Sequence, residues 1–99
     1  MPHFLITLRP ARPDFPATIT DEEKRVVAEH FAYYEGLCKA GRALLVGRTD
    51  EARPLGIALL MVEDLPAAQG VLDQDPAVLN GVMLGDVQPF RLALKAKEL

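Results

Sequence analysis

The amino-acid sequence predicts a single α+β domain built on one four-stranded antiparallel sheet. Apolar, β-prone segments alternate with two amphipathic helical segments in the order strand, helix, strand, strand, helix, strand. Two such halves form the split β-α-β pattern of the ferredoxin-like βαββαβ fold, in which both helices cover one face of the sheet. The 99 residues, 49% of them hydrophobic and 25% charged, suffice for one hydrophobic core and not for two.

The first strand is predicted from His3 to Arg9, a short apolar segment rich in residues that favour β-strands. Three prolines lie between residues 10 and 16, and proline is poorly tolerated both in a helix interior and in a central strand. The segment Pro10–Pro16 is therefore predicted to be a stiff loop.

A long amphipathic helix of about six turns is predicted next. Thr20 and Glu23 form a T-x-x-E capping box at its beginning, and Gly41 supplies the stop expected just past its end. The predicted buried stripe consists of apolar residues at helical spacing: Val26, Val27, Phe31, Tyr34, Leu37 and Cys38. Cys38 is accordingly expected to be a buried small hydrophobe.

His30 lies four residues from both Val26 and Tyr34 and shares this apolar face, where an aliphatic residue is more usual. An ionisable group in that position has two interpretations: a packing residue whose polar atoms are satisfied, or a functional acid or base. An imidazole can give and take a proton near neutral pH, which is why the second interpretation matters.

Two further strands are predicted: Ala43–Val46, which ends at Gly47, and Gly56–Val62. A polar segment connects them. A second, shorter helix follows; Asp64 can cap it, and Pro66 is suited to its first turn.

Another cap-and-proline turn starts at Asp75-Pro76 and runs to Asn80-Gly81. The last strand is predicted from Val82 to Leu94. Gly85 and Pro89 lie within it and favour a β-bulge or an edge position in the sheet.

Composition limits the function classes. The net charge is −3 and the arginines are scattered rather than clustered, so nucleic-acid binding is not expected. A single cysteine cannot form an intramolecular disulfide, no Cys/His spacing indicates a metal site, and one histidine on a helix is a thin ligand set for haem or flavin. We expect no cofactor and no metal. No segment resembles a membrane span or a signal peptide, which predicts a cytoplasmic protein without membrane contact.

The sheet face away from the two helices is predicted to carry many apolar side chains, and a chain of this size buries only a modest fraction of its surface. An apolar face of this kind calls for a partner. The simplest partner is the same sheet of a second copy, so a homodimer is expected.

Asp75 is the carboxylate best placed to partner His30, because the turn that it begins can pack near the middle of the first helix. A hydrogen-bonded carboxylate fixes the tautomer of a catalytic imidazole and steadies its protonated form. Arg9 and Thr7 lie at the end of the first strand and could hold an anionic substrate, since guanidinium matches a carboxylate with two hydrogen bonds. Arg48 ends the second strand and could form a pocket rim. The alternative for each residue is a structural role as a cap, a turn or a surface group.

Five segments, taken in order, carry a resemblance to a known family: Phe4–Ile6, Glu29–Leu37, Ala40–Gly47, Asp75–Val82 and Val87–Phe90. The fourth is the most specific, since it looks like the pattern D-P-x-V-x-x-G-V. Together the segments resemble the YCII-related family of small ferredoxin-like proteins over nearly the whole chain.

The resemblance implies a dimeric α/β-barrel arrangement and a proposed catalytic dyad, formed by a histidine on the first helix and the aspartate of the D-P turn. Those roles carry over to His30 and Asp75, which match the family positions in order and context. The family includes a dehydrochlorinase that acts on a hydroxylated aromatic ring, and it is similar in fold to muconolactone isomerases.

Two features depart from the family pattern. Gly47-Arg48-Thr49-Asp50 replaces the common G-P-x-x turn and puts a cation at the predicted pocket rim. The Pro10–Pro16 loop is an elaboration, either a lid over the site or only a connector.

Two functional hypotheses follow from the sequence. The first is a cofactor-independent lyase or isomerase that moves a proton on a small polar or cyclic metabolite, with His30 as acid/base and Asp75 as its orienter. The alternative is a non-catalytic module that binds a small ligand or a partner protein.

Overall fold

A computed structural model describes all 99 residues and has four strands and three helices. In chain order they are β1 (His3–Pro10), α1 (Asp21–Lys39), β2 (Ala43–Arg48), β3 (Gly56–Met61), α2 (Leu65–Asp73), α3 (Pro76–Leu79) and β4 (Met83–Phe90). The strands form one antiparallel sheet in the order β2-β3-β1-β4. The predicted α+β, ferredoxin-like βαββαβ fold is confirmed, with α3 as a short addition between α2 and β4.

The ends of α1 follow the predicted signals. Thr20 accepts from the backbone of Glu23, whose side chain accepts in turn from the backbone of Thr20. At the other end Ala40 is the C-cap, and Gly41 has φ +75°, a conformation that glycine adopts without steric cost. None of the three helices combines the length and the apolarity that crossing a membrane would need.

The predicted burial of Phe31 and Cys38 is wrong, because both side chains are exposed, Phe31 by 68%. The buried side of α1 is centred on Val26, Tyr34 and Leu37. At about 100° per residue, Phe31 and Cys38 fall near the edge of that stripe, where the sheet no longer covers them. The stripe is therefore narrower than the apolar pattern suggests.

The two helices after β3 begin at the caps that the sequence predicts. Asp64 accepts from the backbone N–H of Ala67 and Asp75 from that of Ala77, and a proline occupies the first turn of each helix. Both aspartates thus satisfy backbone donors that a helix start leaves unpaired.

Strand alternation sorts the side chains of the sheet between its two faces. Phe4, Ile6 and Leu8 of β1 face the helices and join the main core with residues of α1 and α2. The alternate residues of the paired strands, among them Leu5 and Ile57, lie on the opposite face.

The last strand is shorter than predicted. Phe90 pairs with His3, the first residue of β1, so residues 91–94 have no neighbouring strand to bond with, and the extension to Leu94 is wrong. The edge position of β4 is confirmed, but its pairing with β1 is unbroken, so the alternative of a bulge at Gly85 is not realised. A Cβ at position 85 would stand 2.6 Å from Cδ1 of Leu72 and 2.8 Å from Cδ2 of Leu8, so a larger residue would require these leucine side chains to move.

The Pro10–Pro16 loop is anchored to the protein core. Phe15 is buried and packs beside Val26 of α1, and the Arg12 guanidinium makes two hydrogen bonds to the Glu23 carboxylate, at 3.0 and 2.6 Å. Hydrogen bonding to Arg12, and then to the backbone of Thr20, lowers the pKa of Glu23 from its usual 4.5 to about 2. The loop is thereby tied to the beginning of α1.

This ion pair predicts a pH-dependent stability. The folded-state pKa of Glu23 is depressed. The contribution of the ion pair to the free energy of unfolding is therefore complete above about pH 4.5 and is lost as the pH falls towards about 2. We expect the Arg12→Gln variant to melt below the wild type near neutral pH. The gap should narrow over that acid range, and the part that comes from the Arg12 hydrogen bonds to Thr18 should remain. Circular dichroism melts at low salt measure the gap. Arg53→Gln, which removes an exposed arginine without an ion pair, is the control; a gap for Arg12→Gln that stays constant down to about pH 2 would contradict the assignment.

Candidate functional site

A cavity of about 290 Å³ opens between α1 and one end of the sheet. All four strands and α1 contribute to its wall, together with Pro54 of the connection before β3. The lining residues are Leu8, Arg9, Pro10, Val27, His30, Phe31, Val46, Gly47, Arg48, Pro54, Gly56, Ile57 and Met83. Its size suits a small molecule, since ligand pockets begin at about 300 Å³.

The structure brings His30 and Asp75 together although 45 residues separate them in sequence. Nδ1 of His30 lies 2.8 Å from Oδ1 of Asp75. An ionised carboxylate can only accept, so Nδ1 carries the proton and donates it to this bond. In the neutral ring, Nε2 is then unprotonated and available as a base.

Exposure differs sharply within this pair. The His30 side chain is 16% exposed and lines the cavity, whereas the Asp75 side chain is 0% exposed. A ligand in the cavity can therefore reach the imidazole but not the carboxylate. The geometry is that of a reactive group at a surface, oriented from behind by a buried one.

Packing of α3 against α1 puts Asp75 at this point. Oδ1 of Asp75 also accepts from the backbone N–H of Ala77, at 2.8 Å, so one oxygen both caps α3 and orients His30. The D-P turn holds the carboxylate because the cap fixes its position at the helix start. Capping and orientation, which are alternatives when only the sequence is considered, are thus the same structural feature.

Two tyrosines surround the buried carboxylate. The ring of Tyr34 contacts the ring of His30 edge-on, with 5.1 Å between their centroids, and Tyr33 donates to the backbone carbonyl of Val71 at 2.6 Å. Burial, and then the charge of Asp75, raises the pKa of both phenols. The Tyr34 hydroxyl is near enough to feel that charge, yet it forms no hydrogen bond of ordinary geometry.

Of the three residues expected to bind substrate, Arg9, Thr7 and Arg48, two line the cavity and one does not. Arg48 lines the cavity, and so does Arg9. Thr7 does not: it pairs with Ile57 and Asp86, and alternation puts it on the sheet face away from the helices. The roles of all three in binding stay predictions.

The cavity has a distinct electrostatic character. Neither Arg9 nor Arg48 forms a salt bridge, and Arg48 makes only a 3.3 Å contact with the backbone carbonyl of Thr49. No aspartate or glutamate lines the wall, although the chain as a whole carries a net charge of −3. The cavity is therefore a cationic, largely apolar site in an acidic protein.

Sequence reasoning predicts a pocket lined by the apolar stripe of the first helix, but it misses Met83 and the exposed position of Phe31. Val27 and Phe31 of α1 and Met83 of β4 line the cavity, whereas helical periodicity assigns Phe31 to the core. A usable signal is present, because Val27 and Phe31 are one helical turn apart and sit beside His30. Of the proline-rich loop, only Pro10 borders the cavity. No cluster of three or more His, Cys, Asp or Glu side chains is present that could hold a metal ion.

Comparisons with known proteins agree with this architecture. A family model described as the YCII-related domain matches residues 4–91. Among solved structures, 5-chloro-2-hydroxyhydroquinone dehydrochlorinase (TftG) from Burkholderia phenoliruptrix AC1100, in complex with 2,5-dihydroxybenzoquinone, superposes with a TM-score of 0.68. The match has 16% identity and covers 91% of this chain and 95% of that one, which shows a shared fold. No curated protein matches the sequence.

Proposed function

Since the chain belongs to the YCII-related domain family, we propose that it is a cofactor-independent enzyme of the lyase or isomerase type. Its substrate is a small polar or cyclic metabolite, on which His30 moves a proton while Asp75 orients the imidazole. The observation that carries the proposal is the 2.8 Å bond from His30 Nδ1 to a fully buried carboxylate, with the other ring nitrogen left free beside a cavity.

The chemistry follows from the hydrogen bonds. Nε2 of His30 accepts a proton from a C–H or O–H of the substrate, and the imidazolium that forms is stabilised by the adjacent Asp75 carboxylate. The same imidazolium can return the proton to another atom, which completes an isomerisation, or lose it to water after a leaving group departs, which completes an elimination. A group positioned in this way contributes about 10²–10⁴-fold to a rate.

The wall of the cavity supports a substrate with an apolar body and a negative group. Phe31 and Val46 offer apolar contact, and the unpaired guanidinium of Arg48 can bind a carboxylate or a phenolate with two hydrogen bonds. Arg9 borders the cavity at the end of β1, but alternation puts it on the same sheet face as Thr7, so both residues would require a substrate that reaches past the sheet edge.

The structural neighbour supports the reaction class. TftG is named as a dehydrochlorinase, and its complex contains 2,5-dihydroxybenzoquinone, a small oxygenated ring. Removal of hydrogen chloride is an elimination, a reaction that a positioned base can assist by taking the proton. We extend to this chain only the class of reaction and the class of compound.

A homodimer is part of the proposal. The sheet face away from the helices includes Leu5 and the exposed Leu84, so it offers apolar surface to a second copy. Pairing of two sheets through this face would bury it.

Hydrogen–deuterium exchange tests the proposed activity before the substrate is identified. The protein is incubated in D₂O with a panel of small oxygenated ring compounds, 2,5-dihydroxybenzoquinone first, and loss of C–H signals is followed by ¹H NMR. We expect at least one compound to exchange faster with the wild type than with His30→Gln. Ligand binding without exchange by either protein would favour the non-catalytic binding module instead.

Arg48 gives a separate test of the substrate class. Benzoate and benzamide have nearly the same shape but differ in charge, and we expect the wild type to bind benzoate more tightly in an NMR titration. Arg48→Gln should reduce that preference about tenfold or more, because a charge-assisted hydrogen bond is lost. Arg53→Gln, outside the cavity wall, should leave the preference unchanged. Equal binding of the two compounds by the wild type would argue against an anionic substrate.

A further inference from the structure

Two buried side-chain atoms in the chain have no hydrogen-bond partner: the hydroxyl oxygen of Tyr34 and Oδ2 of Asp75. Both belong to residues that contact His30, one through its ring and the other through Oδ1. Buried polar atoms without partners are rare in folded proteins, and each calls for an explanation. A phenol can donate and a carboxylate oxygen can accept, so these two atoms are chemically complementary.

We propose that Tyr34 is a positioning residue whose hydroxyl donates to Asp75 Oδ2 and so fixes the carboxylate that orients His30. The inference rests on the proposed role of the His30–Asp75 pair and extends that pair by one residue. Tyr34 itself is 2% exposed and does not line the cavity, so it acts on a substrate only through Asp75 and His30.

The hydrogen bonds around Asp75 show why a donor on Oδ2 matters. Oδ1 is shared by two donors, Nδ1 of His30 and the backbone N–H of Ala77, each at 2.8 Å. With Oδ2 free, only the two hydrogen bonds to Oδ1 oppose rotation of the carboxylate about its Cβ–Cγ bond. A second donor on the opposite oxygen holds the plane of the carboxylate, and thereby the direction from which His30 Nδ1 is bound.

Helix α1 places Tyr34 beside His30 and Asp75, the other two residues of the proposed hydrogen-bond network. Tyr34 follows His30 by four residues, so one turn of α1 carries both groups on the same face towards α3. Burial and the nearby Asp75 charge raise the pKa of the Tyr34 phenol, which keeps its proton available for donation near neutral pH. Tyr33, although next in sequence, is engaged elsewhere through its hydrogen bond to Val71.

The test uses Tyr34→Phe, which removes the hydroxyl and keeps the ring against His30. Tyr33→Phe is the matched control, because it also deletes one tyrosine hydroxyl from α1 but breaks a bond to Val71 rather than one to Asp75. The readout is the pair of imidazole ¹⁵N signals of His30, which reports the tautomer directly, with His3 as the internal reference. This readout needs no substrate.

We expect Tyr34→Phe to move the His30 signals towards a mixture of the two tautomers, while Tyr33→Phe leaves them at the wild-type positions. The rate at which diethyl pyrocarbonate modifies His30, relative to His3, should fall about twofold or more in Tyr34→Phe alone. Unchanged His30 signals in a folded Tyr34→Phe protein would overturn the proposal, whatever the outcome of the exchange assay.

A measurement on protein labelled with ¹³Cζ-tyrosine covers the case in which Tyr34→Phe does not fold. Substituting Asn for Asp75 removes the charged acceptor while retaining an acceptor for the α3 cap. We expect the Tyr34 Cζ signal to shift in Asp75→Asn and the Tyr33 signal to shift less. Equal shifts at the two tyrosines would contradict a specific hydrogen bond from Tyr34.

Discussion

Replacement of His30 by glutamine is expected to lower turnover about 10²–10⁴-fold while leaving ligand binding largely intact. Glutamine preserves the polarity and much of the volume of the side chain, but it cannot accept and release a proton near neutral pH. The imidazole is the group of the His30–Asp75 pair that lines the cavity, so no buried carboxylate can take over its role. The measurement is the initial rate on the compound that exchanges best, together with its dissociation constant.

Two companion variants separate chemistry from folding. His3→Gln removes the chain's other histidine, which pairs with Phe90 and Met61 at the far end of β1, and it should retain wild-type turnover. His30→Ala opens space beside the cavity, so added imidazole should restore part of the lost rate. Turnover of His30→Gln within a factor of about two of the wild type would remove His30 from the mechanism.

Local structure is predictable from the sequence wherever a few neighbouring residues decide it. The capping box of Thr20 and Glu23 places the start of α1 correctly, and Asp64 with Pro66 does the same for α2. These signals work because a cap satisfies its own helix end and depends little on the rest of the fold. The order of the elements then follows, and with it the α+β fold.

Features that depend on distant residues are predicted less well. β4 ends at Phe90 because β1 begins opposite it, which no local pattern around residues 91–94 reveals. Phe31 and Cys38 fit the apolar periodicity of α1, but how wide a stripe the sheet covers is a tertiary property. Residues at the edge of such a stripe are the ones most easily assigned to the wrong environment.

The candidate site contains features of both kinds, some visible in the local sequence and some that depend on distant residues. His30 is noticeable because an ionisable group interrupts an apolar face, and Asp75 because it precedes a proline. The expected packing of the Asp75 turn near the first helix suggests their pairing, and the resemblance to the family supports it. The Tyr34 hydroxyl gives only a weak signal in sequence: a tyrosine can offer its hydroxyl to a site, but one at a core position usually packs through its ring. That it shares its surroundings with the free oxygen of Asp75 becomes visible only when α3 is seen packed on α1.

Substitution of Asp75 should separate its two roles, because a single oxygen performs both. In Asp75→Asn the amide oxygen can still accept from Ala77 and keep the α3 cap, so we expect only a small change in the free energy of unfolding. With the amide oxygen at the Oδ1 position, however, the –NH₂ group takes the place of Oδ2, and the negative charge that stabilises a protonated His30 is lost. Because the imidazolium then forms without a counter-charge, turnover should fall about 10²–10⁴-fold.

Asp75→Ala removes both functions and should also destabilise the fold. The backbone N–H of Ala77 and Nδ1 of His30 lose their acceptor in a fully buried place, which predicts a loss of about 2–4 kcal/mol in urea unfolding. Asp64→Ala is the matched control, because Asp64 caps α2 from an exposed position and its loss should cost only about 1 kcal/mol. If the two alanine variants lose equal stability, Asp75 is a cap like any other. A larger loss at Asp75, together with near-wild-type stability and low turnover in Asp75→Asn, identifies the charged carboxylate as the group that supports His30 as a base.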